Sequence, residues 1–562
     1  MRFHRSILTA LAATSVLGVL IAYHRWAVSL GGWMGWDQAH HFYWGNIIYG
    51  DLLRGDWLTA VFDSYRQVYW PFLQSWVLAG CFFVFGHGYV AGQLSSLIPY
   101  ILTGCILSVL AWKLVHPRTL VSPLVTVLLW WSSARFVTEF AIGTYAESLA
   151  IFLTSLSLLA AIYAREKQTV TSYYLAGLSS MLVYFSKTDY GLLVILTTAA
   201  GIVLTEPHKR KYEALFRYSL PIACISMLWF AYPPKIAATL DALFNRPQGP
   251  SRWSWEGITY HPAMLAFWCD STAVFLAGLF CIGYVALKYR RDSSLFLLLY
   301  LAIALLLHTF SQTKDQKHIV KLLPWFYVFI GLGIGSLYMG MRARPLLRFM
   351  FLTVILAAAG LRLSSSVSIL RQHRPPALDS SARLIAARIN PARSALVAGA
   401  FAELSPFYVK NLVLQRRPLA RILPDPVYSR FRQSKAGQIL VQGDTPVLHI
   451  DHVDPRNPDL PAHTSQTIQK VLRGSPEEVF VIELRPESKW RTEDYSAFVT
   501  PGDEIASILD ESSEYERVDQ VPIPPLQGNL AIYRRRSLVR DDLNHSEVVG
   551  RTVNQTRAEV LE

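Results

Sequence analysis

Charged residues are scarce in this sequence of 562 residues, because Asp, Glu, Lys and Arg make up 17% of it while 52% is apolar. An average soluble domain carries about 25% charged residues. The deficit is concentrated in the first two thirds, where apolar runs of about 15–25 residues recur, and roughly 20 such residues span the hydrocarbon of a bilayer. The shortage of charge therefore excludes a wholly soluble protein and predicts a polytopic membrane protein.

Cysteine is scarce too, and none of the five cysteines belongs to a C-x-x-C pair. All five fall in or beside apolar runs, and the long polar region after residue 367 has none. An odd, scattered set of this kind argues against a zinc site and against a disulfide framework.

The sequence lacks a compact basic face with interleaved aromatic residues, although its formal net charge is +13. Much of the basic excess lies in short loops between apolar runs, where the positive-inside rule places it on the cytoplasmic side. We therefore interpret the charge as a determinant of topology and expect no nucleic-acid partner.

Eleven apolar segments are predicted to cross the membrane, with the N-terminus in the cytoplasm. Residues 172–206 are divided in two at Lys187, and the short segment 71–87 is interpreted as interfacial or re-entrant. With these two choices every cluster of basic loop residues falls on the cytoplasmic side. The first run is interpreted as a retained span, since no convincing small-x-small cleavage site follows it. The predicted spans are 6–23, 88–112, 119–136, 144–163, 172–186, 190–206, 214–231, 263–287, 294–311, 320–340 and 347–366.

The predicted organisation is a membrane module followed by an outer domain. The module covers residues 1–367, with outer loops at 24–87 and 232–262. Residues 368–536 alternate short apolar runs, such as SALVAGA and EVFVIEL, with helix-prone stretches, which predicts an α/β domain; residues 537–562 form a polar tail. The fold class is thus a polytopic α-helical membrane protein with a C-terminal extracytoplasmic α/β domain, located in a bacterial inner membrane or plasma membrane.

The outer loop after the first span holds unusually rich titratable chemistry, in the stretch GWDQAHHFYWGNIIYGDLLRGDW. Asp37 lies just past that span, beside tryptophans suited to the membrane interface. A half-desolvated carboxylate there can act as a general base towards a hydroxyl group; the alternative is a solvated loop acid. Asp51 and Asp56 fit that alternative better, because GDLLRGDW is typical of a helix end and a turn.

Two glutamates lie near the start of the fourth span. Glu147 is at the mouth of the span in GTYAESLAIFL, and an acid there is costly unless it faces a cavity or a partner. The alternative is a helix N-terminal acid that favours the helix dipole. Glu139 competes with Glu147 for the functional role, and we favour Glu147 as the catalytic acid with Glu139 as a possible substrate contact.

Lysines crowd the outer side against the positive-inside trend. Lys187 interrupts an apolar stretch, and a second group precedes the tenth span: Lys314, Lys317, His318 and Lys321. A phosphate or pyrophosphate on a lipid headgroup would explain these cations, so the four lysines are predicted to bind a donor phosphate and His318 to contact substrate. The alternative is snorkelling lysines that pair with nearby acids such as Asp189 and Asp315.

His40 and His41 raise the question of a metal site that also includes Asp37. Adjacent side chains on a helix diverge, so they rarely bind the same ion. We therefore predict no metal and no cofactor, keep a divalent cation as the alternative, and assign both histidines as possible substrate contacts.

Five stretches follow one another along the predicted outer side: WDQAHHFYWGNIIYGDLLRGDWL, VYWPFLQSWVLAGCFFVFGHGYVAGQL, GTYAESLAIFL, LAGLSSMLVYFSKTDYGLLVIL and KDQKHIVKLLPWFYVFIGLG. Their order and spacing resemble those of GT-C class integral-membrane glycosyltransferases, the group with the protein mannosyltransferases and the lipid A aminoarabinose transferase, over roughly residues 1–345. The resemblance implies a GT-C fold. It also implies that Asp37 is the catalytic base, Glu147 the acid of the second acidic motif and Lys187 the phosphate-facing lysine.

Two positions depart from the family pattern. The acidic pair of the first loop is Asp37-Gln38, so the second carboxylate is missing. Tyr69-Trp70-Pro71 stands where the family has Lys-Pro-Pro. More of the phosphate binding therefore falls to Lys187 and the later lysine turn, and Tyr69 is a possible substrate contact.

The predicted function is transfer of a hexosyl or pentosyl group from a polyprenyl-phosphate donor to a hydroxyl of a glycan, lipid or protein, with inversion, on the extracytoplasmic side. Membrane lipids surround the spans. The alternatives are a transporter or flippase of a lipid-linked saccharide, an O-antigen ligase or polymerase, and an inactive scaffold. Transporters place charges near the membrane midplane, whereas the polar residues here gather at one face.

Overall fold

Two units make up the chain in the computed structural model. One unit contains residues 1–32 and 67–374, and the other contains 33–66 and 375–562. The structure describes residues 36–67, 71–115, 118–233, 235–236, 239–240, 250–288, 292–311, 314–372, 378–389, 394–399, 408, 411–412, 438–440, 447–451, 477–486, 506–524 and 527–537. The domain limits drawn from the sequence stay a prediction.

Helices α1 (Trp36–Leu53) and α2 (Trp57–Arg66) belong to the second unit. Helices also fill the described part of the first unit. In chain order its helices are α3 (Leu73–Phe85), α4 (Tyr89–Leu114), α5 (Val121–Trp131), α6 (Glu147–Lys167), α7 (Val170–Ser186), α8 (Thr188–Thr205), α9 (His208–Phe230), α10 (Trp255–Trp268), α11 (Thr272–Lys288), α12 (Asp292–Phe310), α13 (Leu323–Gly340) and α14 (Pro345–Gln372). A helical turn at Ala134–Phe136 continues as a π-helix, Val137–Ala141, and two 3₁₀ turns, Gln316–His318 and Val320–Leu322, precede α13.

Several of these helices can cross a membrane. Among the described residues, those long and apolar enough are Tyr89–Leu114, Glu147–Lys167, Thr188–Thr205, Gln316–Gly340 and Pro345–Arg362, five in all, and six if the bent pair α10 and α11 is one span. The membrane character is confirmed, whereas the number of eleven spans stays a prediction. The first predicted span, 6–23, lies outside the described residues.

The break predicted at Lys187 is present, because α7 ends at Ser186 and α8 begins at Thr188. The predicted span 263–287 is bent in the structure, because α10 and α11 meet there at an angle of 111°. Asp270, at the bend, has a φ of 57°. Its carboxylate accepts a hydrogen bond from the backbone N–H of Ala134 at 2.9 Å and lies 3.6 Å from the guanidinium of Arg362. These contacts hold the chain in the turn.

The two ends of the helix bundle carry different polar contacts. Arg165, in the last turn of α6, donates to the carbonyl of Thr205 at the end of α8, at 2.9 Å. At the other end, Glu147 at the start of α6 contacts Lys187 just before α8. The helices α6 and α8 are therefore parallel, and the first residues of both lie at the same end of the bundle.

The α4–α5 pair shows how polar groups are satisfied inside the bundle. The indole N–H of Trp130 donates to the carbonyl of Tyr100 at 2.9 Å, and the hydroxyl of Tyr100 donates to the carbonyl of Trp130 at 2.7 Å. Both side chains are buried and their rings lie 5.0 Å apart. Satisfying polar groups internally is necessary wherever no water is available.

A glycine fixes the approach of α7 to α8 beside the break. A Cβ atom on Gly191 would lie 2.2 Å from the Cα atom of Tyr184. We expect Gly191→Ala to destabilise the protein by about 1–3 kcal/mol, since backbone must shift to admit a methyl group. Thermal unfolding in detergent measures it. In the control, Gly283→Ala in α11, the new Cβ meets nothing within 4 Å; an equal loss in both variants would contradict the prediction.

The second unit begins with two helices joined by a tight corner. These are α1 (Trp36–Leu53) and α2 (Trp57–Arg66). Asp51 accepts a hydrogen bond from Arg54. The two oxygens of Asp56 accept from the backbone N–H of Thr59 at 3.1 Å and from its hydroxyl at 2.7 Å. Asp56 therefore caps α2, and the predicted helix end and turn are present. Asp51 is 2% exposed within α1, so the interpretation of this residue as a solvated loop acid is wrong.

The C-terminal part of this unit contains α15 (Leu378–Arg388) and a six-stranded sheet in the order β2-β3-β1-β4-β6-β5. The strands are β1 (Ser394–Gly399), β2 (Gln438–Leu440), β3 (Val447–Asp451), β4 (Glu478–Leu484), β5 (Tyr515–Ile523) and β6 (Gly528–Arg535). The central strands β3, β1 and β4 are parallel and the others are antiparallel to their neighbours. The first six residues of the apolar run SALVAGA form the inner strand β1 and the run EVFVIEL forms β4, as their composition predicted.

Candidate functional site

An ion pair lies at the junction between the end of α7 and the start of α8. The ammonium group of Lys187 donates to Oε1 of Glu147, the first residue of α6. Glu147 is 2% exposed. Burial by itself lowers the pKa of Lys187, but the carboxylates of Glu147 and Asp189 outweigh burial and hold that pKa above its ordinary value. The lysine is therefore charged at neutral pH.

A second ion pair lies within two residues of the first along the chain. The carboxylate of Asp189 accepts a hydrogen bond from Lys321, and Nδ1 of His318 lies 3.3 Å from the same oxygen. The Lys321 side chain is completely buried, whereas His318 and Asp189 are partly exposed. This contact brings the lysine turn before α13 next to the α7–α8 break. The sequence predicted that both lie on the outer side, but it did not predict the contact between them.

Tyr190 joins the two ion pairs into one cluster. Its ring centroid lies 5.6 Å from Nζ of Lys187 and 4.4 Å from Nζ of Lys321. The residue is fully buried, and the described residues offer its hydroxyl no hydrogen-bond partner. We define the lysine cluster as Glu147, Lys187, Asp189, Tyr190 and Lys321.

Glu139 lies beside this cluster through Tyr145 and Lys317. Nζ of Lys317 is 5.0 Å from the ring centroid of Tyr145, whose hydroxyl is 3.5 Å from Oε1 of Glu139. Glu139 belongs to the π-helix, a conformation that is frequent at functional sites. Both competing glutamates thus lie at this end of the bundle, and their roles stay predictions.

Lys314 is placed differently from the other lysines of its turn. Its ammonium group donates to the carbonyl oxygens of His308 at 3.0 Å and Thr309 at 2.5 Å, in the last turn of α12. A cation at a helix C-terminus satisfies free carbonyls and favours the dipole. This contact gives Lys314 a structural role; its predicted phosphate contact stays a prediction.

Three histidine rings line up next to the cluster. The rings of His318 and His308 are stacked with centroids 5.4 Å apart, and the ring of His261 lies 5.5 Å from that of His308. In the described parts of the chain, no group of three or more His, Cys, Asp or Glu side chains is arranged to hold a metal ion. Sequence order gave no sign of this alignment, because the three residues come from three separate elements.

The remaining predicted residues are in the second unit or outside the described residues. Asp37 is in the first turn of α1, and its side chain lies outside what the structure describes. Nε2 of His40 accepts a hydrogen bond from the indole N–H of Trp44 at 3.2 Å, and the rings of His40 and His41 are 6.2 Å apart. Both histidines are buried. Tyr69 lies outside the described residues.

Asp189 and Tyr190 are the residues that sequence reasoning missed. Asp189 entered only as a possible partner for a snorkelling lysine, which is part of what it does, since it pairs with Lys321. The signal that could have identified it is an acid two residues after a lysine inside an apolar run.

Lys235, beyond the end of α9, is a further buried lysine of the first unit. It is 1% exposed, lies 3.4 Å from the ring centroid of Trp229 and donates to the carbonyl of Gln67 at 3.3 Å. Burial lowers the pKa of Lys235 from 10.5 to about 7.

A pH dependence of stability follows from that lowered pKa. Between pH 7 and 10.5 the unfolded chain binds the proton of Lys235 and the folded chain releases it, so the free energy of unfolding rises with pH across this range. We expect thermal unfolding temperatures in detergent to rise from pH 7 to pH 9.5, and to rise less in Lys235→Met. Identical slopes in the two proteins would contradict the assignment.

Comparison with known proteins identifies the fold. No protein-family model matches the sequence, and no curated protein matches it. The solved structure of ArnT from Cupriavidus metallidurans bound to undecaprenyl phosphate is similar over 94% of this chain and 98% of ArnT, with a TM-score of 0.56 and 13% identity. The apo ArnT structure gives a TM-score of 0.56 at 14% identity, over 94% and 99% of the two chains. The resemblance predicted from the motifs is confirmed at the level of fold: the chain has the fold of GT-C glycosyltransferases.

Proposed function

We propose that this protein is a glycosyltransferase that moves a sugar from a polyprenyl-phosphate donor to an acceptor hydroxyl on the extracytoplasmic side of a membrane. The observation that carries the proposal is the lysine cluster, which gathers the buried Lys321 and the partly buried Lys187 around one tyrosine at a single end of the helix bundle. The fold supports it, since ArnT shares that fold and was solved with undecaprenyl phosphate bound.

The lysines bind the phosphate of the donor in this proposal. Lys187 and Lys321 face it as point charges, with Lys317 at the edge, and the carboxylates of Glu147 and Asp189 hold the ammonium groups of Lys187 and Lys321 in place. The hydroxyl of Tyr190 donates a hydrogen bond to a phosphate oxygen. Preorganised donors of this kind stabilise the negative charge that develops on the leaving group in the transition state.

The chemical step is a displacement at the anomeric carbon of the sugar. Asp37 removes the proton of the acceptor hydroxyl as the oxygen attacks. The new C–O bond forms as the bond to the phosphate oxygen breaks, so the sugar is transferred with inversion and the polyprenyl phosphate leaves as an anion. The proton remains on Asp37 until it passes to water. The proposal requires no metal or cofactor.

The first experiment tests binding of the leaving group. Full-length protein in lipid nanodiscs is mixed with undecaprenyl phosphate, and bound lipid is quantified by native mass spectrometry. We expect the wild type to bind it and Lys317→Met to bind it at least about 10-fold more weakly, since a hydrogen bond to a charged group contributes roughly 1.5–3 kcal/mol. The control is Lys113→Met, because Lys113 pairs with Glu166 at the other end of the bundle.

The second experiment separates transfer from transport. Lipid-linked sugar extracted from the native membrane is supplied in proteoliposomes together with an outer-membrane or peptidoglycan acceptor fraction. A transferase releases free polyprenyl phosphate, whereas a flippase moves the intact lipid-linked sugar across the bilayer. Movement without release, or no lipid bound by the wild type, would refute the proposal.

A further inference from the structure

One buried amide connects the C-terminal part of the second unit to helix α1. Nδ2 of Asn411 donates to the carbonyl of Ala39 at 2.7 Å, and Oδ1 of Asn411 accepts a hydrogen bond from Nδ2 of Asn46 at 2.9 Å. The partners lie 372 and 365 residues from Asn411 along the chain. Asn411 is completely buried, as are Ala39 and most of Asn46.

The spacing of the two partners determines what this amide fixes. Ala39 and Asn46 are seven residues apart, so they lie on one face of α1, about two turns from each other. A single side chain thereby holds the first turn through a backbone carbonyl and a later turn through a side chain. Two such attachments fix both the rotation of the helix about its axis and its position along that axis.

The chain around Asn411 is shielded from solvent. Tyr408 and Leu412 are also buried, at 0% and 6% exposure. A buried amide whose donor and acceptor are both used discourages other registers of the helix, because a shift by one residue would leave both groups without partners in a site closed to water. The hydrogen bonds therefore specify where the first turn of α1 lies relative to the C-terminal region of its own unit.

We infer that Asn411 is a positioning residue for Asp37: the C-terminal region holds the first turn of α1, and with it the backbone of the proposed base, through the amide of Asn411. This inference rests on the proposed function, in which Asp37 removes the acceptor proton. Asp37 is two residues before Ala39, whose carbonyl accepts the hydrogen bond from Asn411, in the same turn of α1. The role of the C-terminal region in the reaction is then to fix the base, besides any contact with the acceptor.

The size of the effect follows from the geometry that a general base requires. A base must be within about 2.6–3.2 Å of the proton it removes. A misplacement of about 1 Å costs on the order of 10²-fold in rate. We expect Asn411→Leu, which keeps the size of the side chain and removes both hydrogen bonds, to lower kcat for transfer by about 10- to 100-fold, with KM for the lipid-linked sugar changed less than about 3-fold.

The experiment compares Asn411→Leu with a variant that destabilises the same unit elsewhere. Val481→Ala, in the buried centre of β4, removes apolar contacts within the sheet, where Val481 pairs with Val397 and Ala531. Hydrogen exchange of the full chain in nanodiscs should be at least about 10-fold faster over residues 39–46 in Asn411→Leu alone, since the exchange rate reports local opening. Undecaprenyl phosphate binding should be the same in both variants, and Asn411→Gln should restore part of kcat.

The outcomes distinguish this inference from the proposed function. If Asp37→Asn abolishes transfer but Asn411→Leu loses no more kcat than Val481→Ala, the hydrogen bonds of Asn411 have only a structural role and the inference is wrong. The same holds if exchange over residues 39–46 is unchanged in Asn411→Leu. If Asp37→Asn transfers sugar at the wild-type rate, Asp37 is not the base. Both the proposed mechanism and the positioning role of Asn411 are then refuted. Slower transfer with normal lipid binding and faster exchange at α1 supports the inference.

Discussion

Replacement of Asp37 by asparagine should lower the rate of sugar transfer by about 10²- to 10⁴-fold, the range that a general base contributes. Asparagine has nearly the same size and shape as aspartate but cannot take up the acceptor proton at neutral pH. Binding of undecaprenyl phosphate should not change, because the proposed phosphate contacts come from lysines. Release of polyprenyl phosphate from the lipid-linked sugar measures the rate, and native mass spectrometry measures the binding.

The chain offers a matched control for this substitution. Asp56 is an acid 19 residues after Asp37 in the segment 33–66, and its oxygens cap α2. Asparagine caps helices about as well as aspartate does, so Asp56→Asn should keep both transfer and stability within about 0.5 kcal/mol of the wild type. Equal losses of transfer in the two variants would mean that any change of charge in this segment disturbs the protein, and Asp37 would lose its assigned role.

The pH dependence gives a second readout of the base. With Asp37 as the only base, kcat/KM for the wild type falls at low pH as the carboxylate becomes protonated. In Asp37→Asn that acidic limb should be absent from the residual activity. An unchanged acidic limb would assign the titration to another group, of which Glu139, next to Tyr145, is the first to test.

The sequence predicted those parts of the fold that depend on residues close together in the chain. A polar triplet interrupts the apolar run at Lys187, and the helices end and begin there. The strands β1 and β4 are short apolar runs, as buried strands usually are. The cap by Asp56 follows from a turn sequence that Asp commonly starts.

Features that depend on distant contacts could not be predicted. The bend at Asp270 is held by Ala134 and Arg362, which come from other parts of the chain, and the apolar composition around it is that of an uninterrupted span. The pairing of Asp189 with Lys321 joins residues 132 positions apart. Periodicity reports which face of an element is buried but does not report against which element it packs.

The hydrogen bonds between Asn411 and α1 could not be predicted for the same reason. Asn411 stands in the stretch FYVKNLVL, which does not indicate the element that Asn411 contacts, and only the folded chain shows that its amide is buried against α1. The assignment of residues 33–66 to the unit of the C-terminal region depends on such contacts as well.

Replacement of Lys187 by methionine should have the second large effect, on stability as well as on lipid binding. It leaves the carboxylate of Glu147, whose side chain is 3% exposed, without its ammonium partner. Removing one member of a buried ion pair costs about 3–5 kcal/mol, because an uncompensated charge stays in a site with little water. We expect a lower midpoint of thermal unfolding in detergent and loss of undecaprenyl phosphate binding.

A double replacement separates the structural role of this pair from its role in binding. Lys187→Met combined with Glu147→Gln removes both charges at once, and replacing a buried pair with neutral groups is often nearly neutral for stability. The double variant should regain most of the unfolding midpoint that Lys187→Met loses, yet bind undecaprenyl phosphate no better. Recovery of binding together with stability would show that Lys187 serves only to neutralise Glu147. The phosphate would then have to be held by Lys321 and Lys317, whose ammonium groups lie against the rings of Tyr190 and Tyr145.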